Sequence, residues 1–276
     1  FDAIPRARTH AVPDTVPART AAGFPIVLFS PGSGEVRGQN TAWAEDLASR
    51  GYVVAGLDHL YDSPAVVLTD GRVIRSRAAR TAPADLIATR TADLRFALAQ
   101  LDRLDRGAIP GPLAGHLDVG KSAVAGHSLG GAAALALIGQ DPRVAAGIDL
   151  DGTPIIPATQ PYPKPVLAIT SPRYHDPADN PDYAGLLDQA LTQSSVPCYR
   201  LTVPQSGHLS FTDLPLTVPA VLPPLLPRMF GSLDRPTGPR ITADATAAFL
   251  DHILRSTPAD PAAQLAAYGD LAVRHG

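Results

Sequence analysis

Ser128 stands at the centre of Gly126-His127-Ser128-Leu129-Gly130, between the β-prone run Ser122-Ala123-Val124-Ala125 and the alanine-rich Gly131-Ala132-Ala133-Ala134. Strand, sharp turn and helix in that order make a nucleophile elbow, and the spacing fills G-x-S-x-G. Such a turn strains its central residue, so the positions two before and two after it must be nearly free of side chain. The hydroxyl is then presented beside a helix N-terminus, where unpaired N–H groups favour developing negative charge. The chemistry this supports is attack of Ser128 on an acyl carbon. A glycine-bounded turn whose serine only caps the helix uses the same letters, but the apolar strand before it and the helix former after it favour the nucleophile.

A serine nucleophile needs a base to take its proton and a group to orient that base. In open α/β sheets the three come in the order serine, acid, histidine. His208, in Gln205-Ser206-Gly207-His208-Leu209, lies downstream of every acid candidate and is the expected base. Asp151 ends the first strand after the elbow, while Asp176 and Asp179 follow the second; all three belong to the C-terminal edge of the sheet, where such folds place their sites. Asp149 is set aside, on the reading that strand alternation turns it away from the face carrying Asp151. His127 points away if Ser128 is at the apex and is read as structural. His10, His116, His252 and His275 fall on arms, turns or helices. The loop Pro31-Gly32-Ser33-Gly34 follows an early strand and can aim a second main-chain N–H at the reaction centre. Ser33 and Leu129, both through main chain, are the expected oxyanion donors.

The elements that must hold these residues alternate between strand and helix. Phe24–Ser30 is apolar on both faces, as a buried parallel strand requires. Asn40 or Thr41 can cap a helix carrying Trp43 and Leu47, with Gly51 placed to stop it. Tyr52–Asp58 reads as the next buried strand, with His59 and Asp62 just past its end. Asp70-Gly71 between two β-prone tetrapeptides signals a hairpin. Ile87, Leu94, Leu98, Leu101 and Leu104 recur at helical spacing, leaving Arg90, Arg95 and Arg103 for the wet face. Strands at 144–151, 165–171 and 198–203 follow, with a helix opened by Asn180-Pro181 before the last, and Cys198 reads as a small buried hydrophobe. Residues 213–240 are rich in Leu and Pro, and Leu214 to Met229 is expected to supply apolar contacts to a substrate. Two helices close the chain, near Ala243–Arg255 and over the stretch holding Leu265, Tyr268 and Leu271. The architecture expected is α/β, a mostly parallel central sheet with helices on both faces, in one domain over 1–276 with residues 1–23 as an extended arm carrying at most one short edge strand.

Composition narrows the partners. The 276 residues carry a net charge of −3 with 18% charged, so no basic field points to nucleic acid, and a small-molecule substrate is expected. Cys198 is the only cysteine, which excludes an internal disulfide and a cysteine metal cluster. No apolar run is long enough to span a bilayer. The chain begins at Phe1, reads as a mature or trimmed form, and secretion is expected.

Five stretches resemble the plasma-type platelet-activating factor acetylhydrolases and their bacterial relatives in the α/β-hydrolase superfamily: Phe29–Gly34, Asp46–Ala55, Gly126–Gly131, Ile148–Asp151 and Gly207–Asp213. The resemblance implies Ser128 as nucleophile, Asp151 as acid, His208 as base, and the N–H groups of Ser33 and Leu129 as oxyanion donors. It further implies a calcium-independent esterase with no cofactor, acting on short or oxidised acyl chains of small-molecule or lipid esters, with peripheral contact to a lipid surface. Pro31 stands where those enzymes usually have His, and the Leu/Pro segment departs from their membrane-docking surface. Two other readings compete: a polyester or cutinase-like hydrolase with Asp176 as acid, and a non-catalytic binding module on the same scaffold.

Overall fold

The unbroken apolar run at Phe24–Ser30 forms β1, buried from Pro25 onward because it has a parallel neighbour on each side. The computed structural model describes residues 9–20, 22–154, 162–172, 176–178, 185–218 and 226–274. Among them β1 pairs with β2 (Val53–Gly56) and with the long β5 (Leu117–His127), and the sheet continues through β6 (Val144–Leu150), β7 (Val166–Thr170), β8 (Cys198–Thr202) and β9 (Asp270–Arg274). Its order is β2-β1-β5-β6-β7-β8-β9, with every pairing parallel except β8 to β9. A hairpin of β3 (Ala65–Val67) and β4 (Val73–Arg75) stands apart, turned at Asp70-Gly71 with Gly71 at φ 83°.

Alternation along β1 separates two cores. Val27 and Phe29 face one side, packed with Trp43 and Leu47 of α1 (Thr41–Ser49) and Phe249 and Leu250 of α7 (Thr237–Arg255). Ile26 and Leu28 face the other, against Leu94 and Leu98 of α2 (Pro83–Asp105), Leu135 of α3 (Leu129–Ile138) and Leu187 of α4 (Leu186–Thr192). Two single turns, α5 (Leu214–Thr217) and α6 (Pro227–Phe230), lie in the Leu/Pro segment, and α8 (Ala262–Leu265) precedes β9. No helix among the described residues is long and apolar enough to cross a membrane.

Several elements differ from expectation. β2 is not a buried strand but an edge of the sheet, half-buried and ending on an exposed Gly56. The last expected helix stops at Leu265; Gly269 passes so close to Thr202 that a Cβ there would lie 2.3 Å from its carbonyl oxygen, and the chain continues as β9. Leu271 and Val273 then share one face at period two, a pattern the three-residue spacing of Leu265, Tyr268 and Leu271 conceals. Helix α7 starts at Thr237 rather than Ala243, because Pro239 falls in the first turn, where a missing N–H costs nothing. The described part of the arm holds no strand; His10 is tied to Glu45 of α1 through its main chain, 2.9 Å, and its ring, 3.2 Å. Asn40 precedes α1 but makes no side-chain cap, its amide donating instead to the Phe211 carbonyl at 2.7 Å. The helix opening at Asn180 and residues Asp179 and His275 lie outside the described residues. Cys198 is buried on β8, flanked by Val166 and Arg274 in register.

Candidate active site

Ser128 leaves β5 at φ 54° and ψ −121°, a conformation rarely adopted by side chains with a Cβ. The glycines make it affordable in space. A Cβ on Gly126 would lie 2.2 Å from the Gly130 carbonyl carbon, and one on Gly130 would lie 2.0 Å from the Ser30 oxygen. Main-chain bonds fix the apex: the Ser128 N–H donates to Leu150 O at 2.9 Å, and its carbonyl accepts from Ala132 N–H at 3.1 Å. Leu129 is the first residue of α3, and its N–H meets no acceptor among the described residues, as a first-turn N–H should not.

The imidazole and carboxylate meet beside this turn. His208 Nδ1 lies 2.9 Å from Asp151 Oδ2, both residues buried, so Nδ1–H donates to the carboxylate. Asp151 also accepts from the N–H and the hydroxyl of Ser171, the latter at 2.8 Å. The His208 peptide is held on both sides, its N–H on Arg228 O at 3.1 Å and its carbonyl on His127 Nε2 at 2.8 Å. The His127 and His208 rings lie 4.7 Å apart, which brings the base to the residue preceding Ser128. Burial, then the neighbouring His208, pushes His127 down to about 3, so its ring is neutral.

The other acids behave differently. Asp176 is exposed, and its carboxylate accepts from Ala178 N–H at 2.8 Å; it is Asp151 that bonds His208. Asp149 is buried with Oδ1 on the Gly152 N–H at 2.9 Å, and strand alternation does not separate it from Asp151, since residues two apart share a face. The two part because Asp151 turns off the strand end at φ 53°. Burial and then the Asp151 charge push Asp149 up to about 8, so it is a neutral acid at neutral pH.

Under the loop Pro31–Gly34 lies a network that sequence reading missed. Arg90, expected on the wet face of α2, is fully buried: Nε bonds Asp62 at 2.6 Å, Nη2 bonds Gly32 O at 3.1 Å, and Nη1 bonds Pro31 O and, at 3.2 Å, Ser30 Oγ. Its charge is accommodated because Asp62 and three loop or strand acceptors surround it. Ser30 Oγ also lies 2.9 Å from His59 Nε2, and His59 Nδ1 2.8 Å from Asp93 Oδ2. Its histidine–aspartate half repeats the Nδ1-to-carboxylate bond of His208 and Asp151, but Ser30 and His59 are sealed from solvent. With its carbonyls turned down to Arg90, the loop leaves the exposed Ser33 with an N–H that no described group accepts. The signals were His59 and Asp62 just past β2, and Ser171 at the end of the strand after β6.

A cavity of about 330 Å³ opens beside the base loop, lined by Pro172, Gln205, Ser206, Pro227, Gly231 and Ser232. Of the segment expected to touch substrate, Leu216 and Leu226 are exposed and Pro227 lines this cavity, while 219–225 lie outside the described residues.

Residues 7–79 and 108–259 match the family described as platelet-activating factor acetylhydrolase, isoform II. Over 134 residues the chain is 31% identical to a probable 1-alkyl-2-acetylglycerophosphocholine esterase of Arthroderma benhamiae, covering 47% of this chain and 32% of that protein. It is 28% identical to the platelet-activating factor acetylhydrolase of Bos taurus, over 58% of this chain and 43% of that one. The chain thus spans less than half the length of either relative. A solved ferulic acid esterase from Streptomyces cinnamoneus superposes with a TM-score of 0.74 at 31% identity, covering 92% of this chain and 74% of that one. Its fold is the α/β-hydrolase fold.

Proposed function

The chain belongs to the platelet-activating factor acetylhydrolase, isoform II, family, and on that premise we propose that it is a serine esterase. The Ser128 hydroxyl attacks the ester carbonyl while His208 Nε2 takes its proton, and Asp151 orients the imidazole and stabilises its charged form. The N–H groups of Ser33 and Leu129 receive the oxyanion. His208 then gives the proton to the departing alcohol, leaving an acyl-Ser128, and water activated by the same histidine releases the acid. No metal or cofactor enters this scheme. The observation that carries it is the buried Asp151–His208 pair set against an elbow whose serine stands at positive φ.

Short-chain acyl esters, or the short or oxidised sn-2 acyl group of a phospholipid, are the proposed substrates, in line with the acetylglycerophosphocholine esterase and acetylhydrolase relatives. The ferulic acid esterase likeness favours a second reading, an aryl acyl ester. Secretion, with the ester met in solution or at a lipid surface, belongs to the same proposal; fractionating the producing culture tests it. The decisive experiment is Ser128→Ala on a chain-length series of nitrophenyl esters with methyl ferulate beside it. Turnover should fall by about 10⁴-fold or more. An organophosphonate should label the native protein at one site per chain. Undiminished turnover in the variant removes Ser128 from the chemistry, and failure to label favours a binding module.

A further inference from the structure

The two loops that the proposed reaction needs in register, one bearing Ser33 and one bearing His208, do not touch through their own main chains in any described bond. They are joined through two side chains. The Gly32 N–H donates to Gln39 Oε1 at 2.8 Å; Gln39 Nε2 lies 3.1 Å from His127 Nδ1; His127 Nε2 lies 2.8 Å from His208 O. The direction of every bond is set by the last. A carbonyl only accepts, so Nε2 of His127 carries the proton; the ring is neutral, so Nδ1 accepts, and the Gln39 amide must present its nitrogen to the ring and its oxygen to Gly32. Each polar atom of the relay is used once, and Gln39 and His127 are both buried.

The turn that carries Gln39 grips the base loop a second and third time. The Asp213 N–H donates to Gln39 O at 3.0 Å, and Asn40 Nδ2 donates to Phe211 O at 2.7 Å. The relay also selects the loop donor. Because the Gly32 N–H is spent on Gln39, Ser33 offers the next N–H for an oxyanion. We propose that Gln39 and His127 are positioning residues that hold the oxyanion loop and the base loop in register, acting through Gly32 and through the His208 main chain; this rests on the esterase reading above.

The test compares Gln39→Leu, His127→Phe, His127→Gln and the double variant Gln39→Leu/His127→Phe on a nitrophenyl acetate assay, with active sites counted by organophosphonate titration. Gln39→Leu and His127→Phe should lower kcat per titrated site by about tenfold to a hundredfold, the scale of a misplaced donor or base. KM should stay within about threefold, since the loss lies in the transition state. A glutamine amide nitrogen can reach the position of Nε2, so His127→Gln keeps the bond to His208 O and should recover most of the rate lost in His127→Phe. In the double variant the losses should not multiply, because both cut one connection. Wild-type kcat in Gln39→Leu and His127→Phe overturns the proposal, as do multiplying losses or a His127→Gln no better than His127→Phe. If a variant is poorly folded, counting only titrated sites keeps the comparison valid. A wild type that neither labels nor turns over refutes the esterase reading instead.

Discussion

Asp151 and Asp149, two positions apart, are the same chemical group put to opposite uses by their surroundings. Asp151 accepts from His208 and from the N–H and hydroxyl of Ser171, an acceptor role that fixes the carboxylate against the imidazole. Asp151→Asn should lower turnover by about 10⁴-fold through the wrong imidazole tautomer. Asp176→Asn should leave turnover unchanged, because that carboxylate is exposed and bonds its own loop; the two kcat values read against each other decide which acid serves. Asp149 has only the Gly152 N–H on Oδ1, and no described partner on Oδ2. Its folded pKa of about 8 stands above the ordinary 3.8, so its contribution to stability is fully present below about pH 4 and is lost as pH rises toward 8. Asp149→Asn removes that slope while keeping the acceptor for Gly152. Urea midpoints of variant and wild type should therefore converge near pH 4 and separate in the variant's favour up to about pH 8.

At the level of elements, α2 does more than cover the sheet, since its Arg90 reaches through to the loop after β1 and fixes where that loop's carbonyls point. Arg90→Met would strand the buried Asp62 carboxylate together with the loop acceptors. It should cost about 3–5 kcal/mol in a denaturant titration, the usual penalty for removing one partner of a buried pair. Arg90 also marks what could be read beforehand. Elements with one strong period were legible: β1 from its continuous apolar run, the elbow from its glycines, α2 from leucines at helical spacing. Arg90, three residues after Ile87 and four before Leu94, falls on that helix's inner face by the same spacing, and what the spacing does not show is a buried guanidinium, because its counter-charge comes from a loop 28 residues away. Gln39 was illegible for the same reason, its partner His127 lying 88 residues away, and Ser171 was visible only as a strand end until Asp151 met it. β9 hid because its pairing is with β8 and its own five residues mix two periods.

For the whole molecule, the sheet order puts the elbow on the third of seven strands and His208 after the last parallel strand, so the candidate site depends on strands far apart along the chain. β9 closes the sheet after α7 has crossed back over the face shared with α1. We read residues 1–276 as one cooperative unit, which predicts a single unfolding transition seen alike by far-ultraviolet dichroism, tryptophan fluorescence from Trp43 and loss of phosphonate labelling. Separate midpoints for these probes would divide the chain. Cys198, the lone sulfhydryl, is walled in between the neighbours it meets in register on β7 and β9. The native protein therefore offers a silent background to maleimide reagents. A cysteine engineered at Leu216 or Leu226, both exposed in the Leu/Pro segment, would be the one handle for a fluorophore or spin label, reporting on that segment without rewriting the interior.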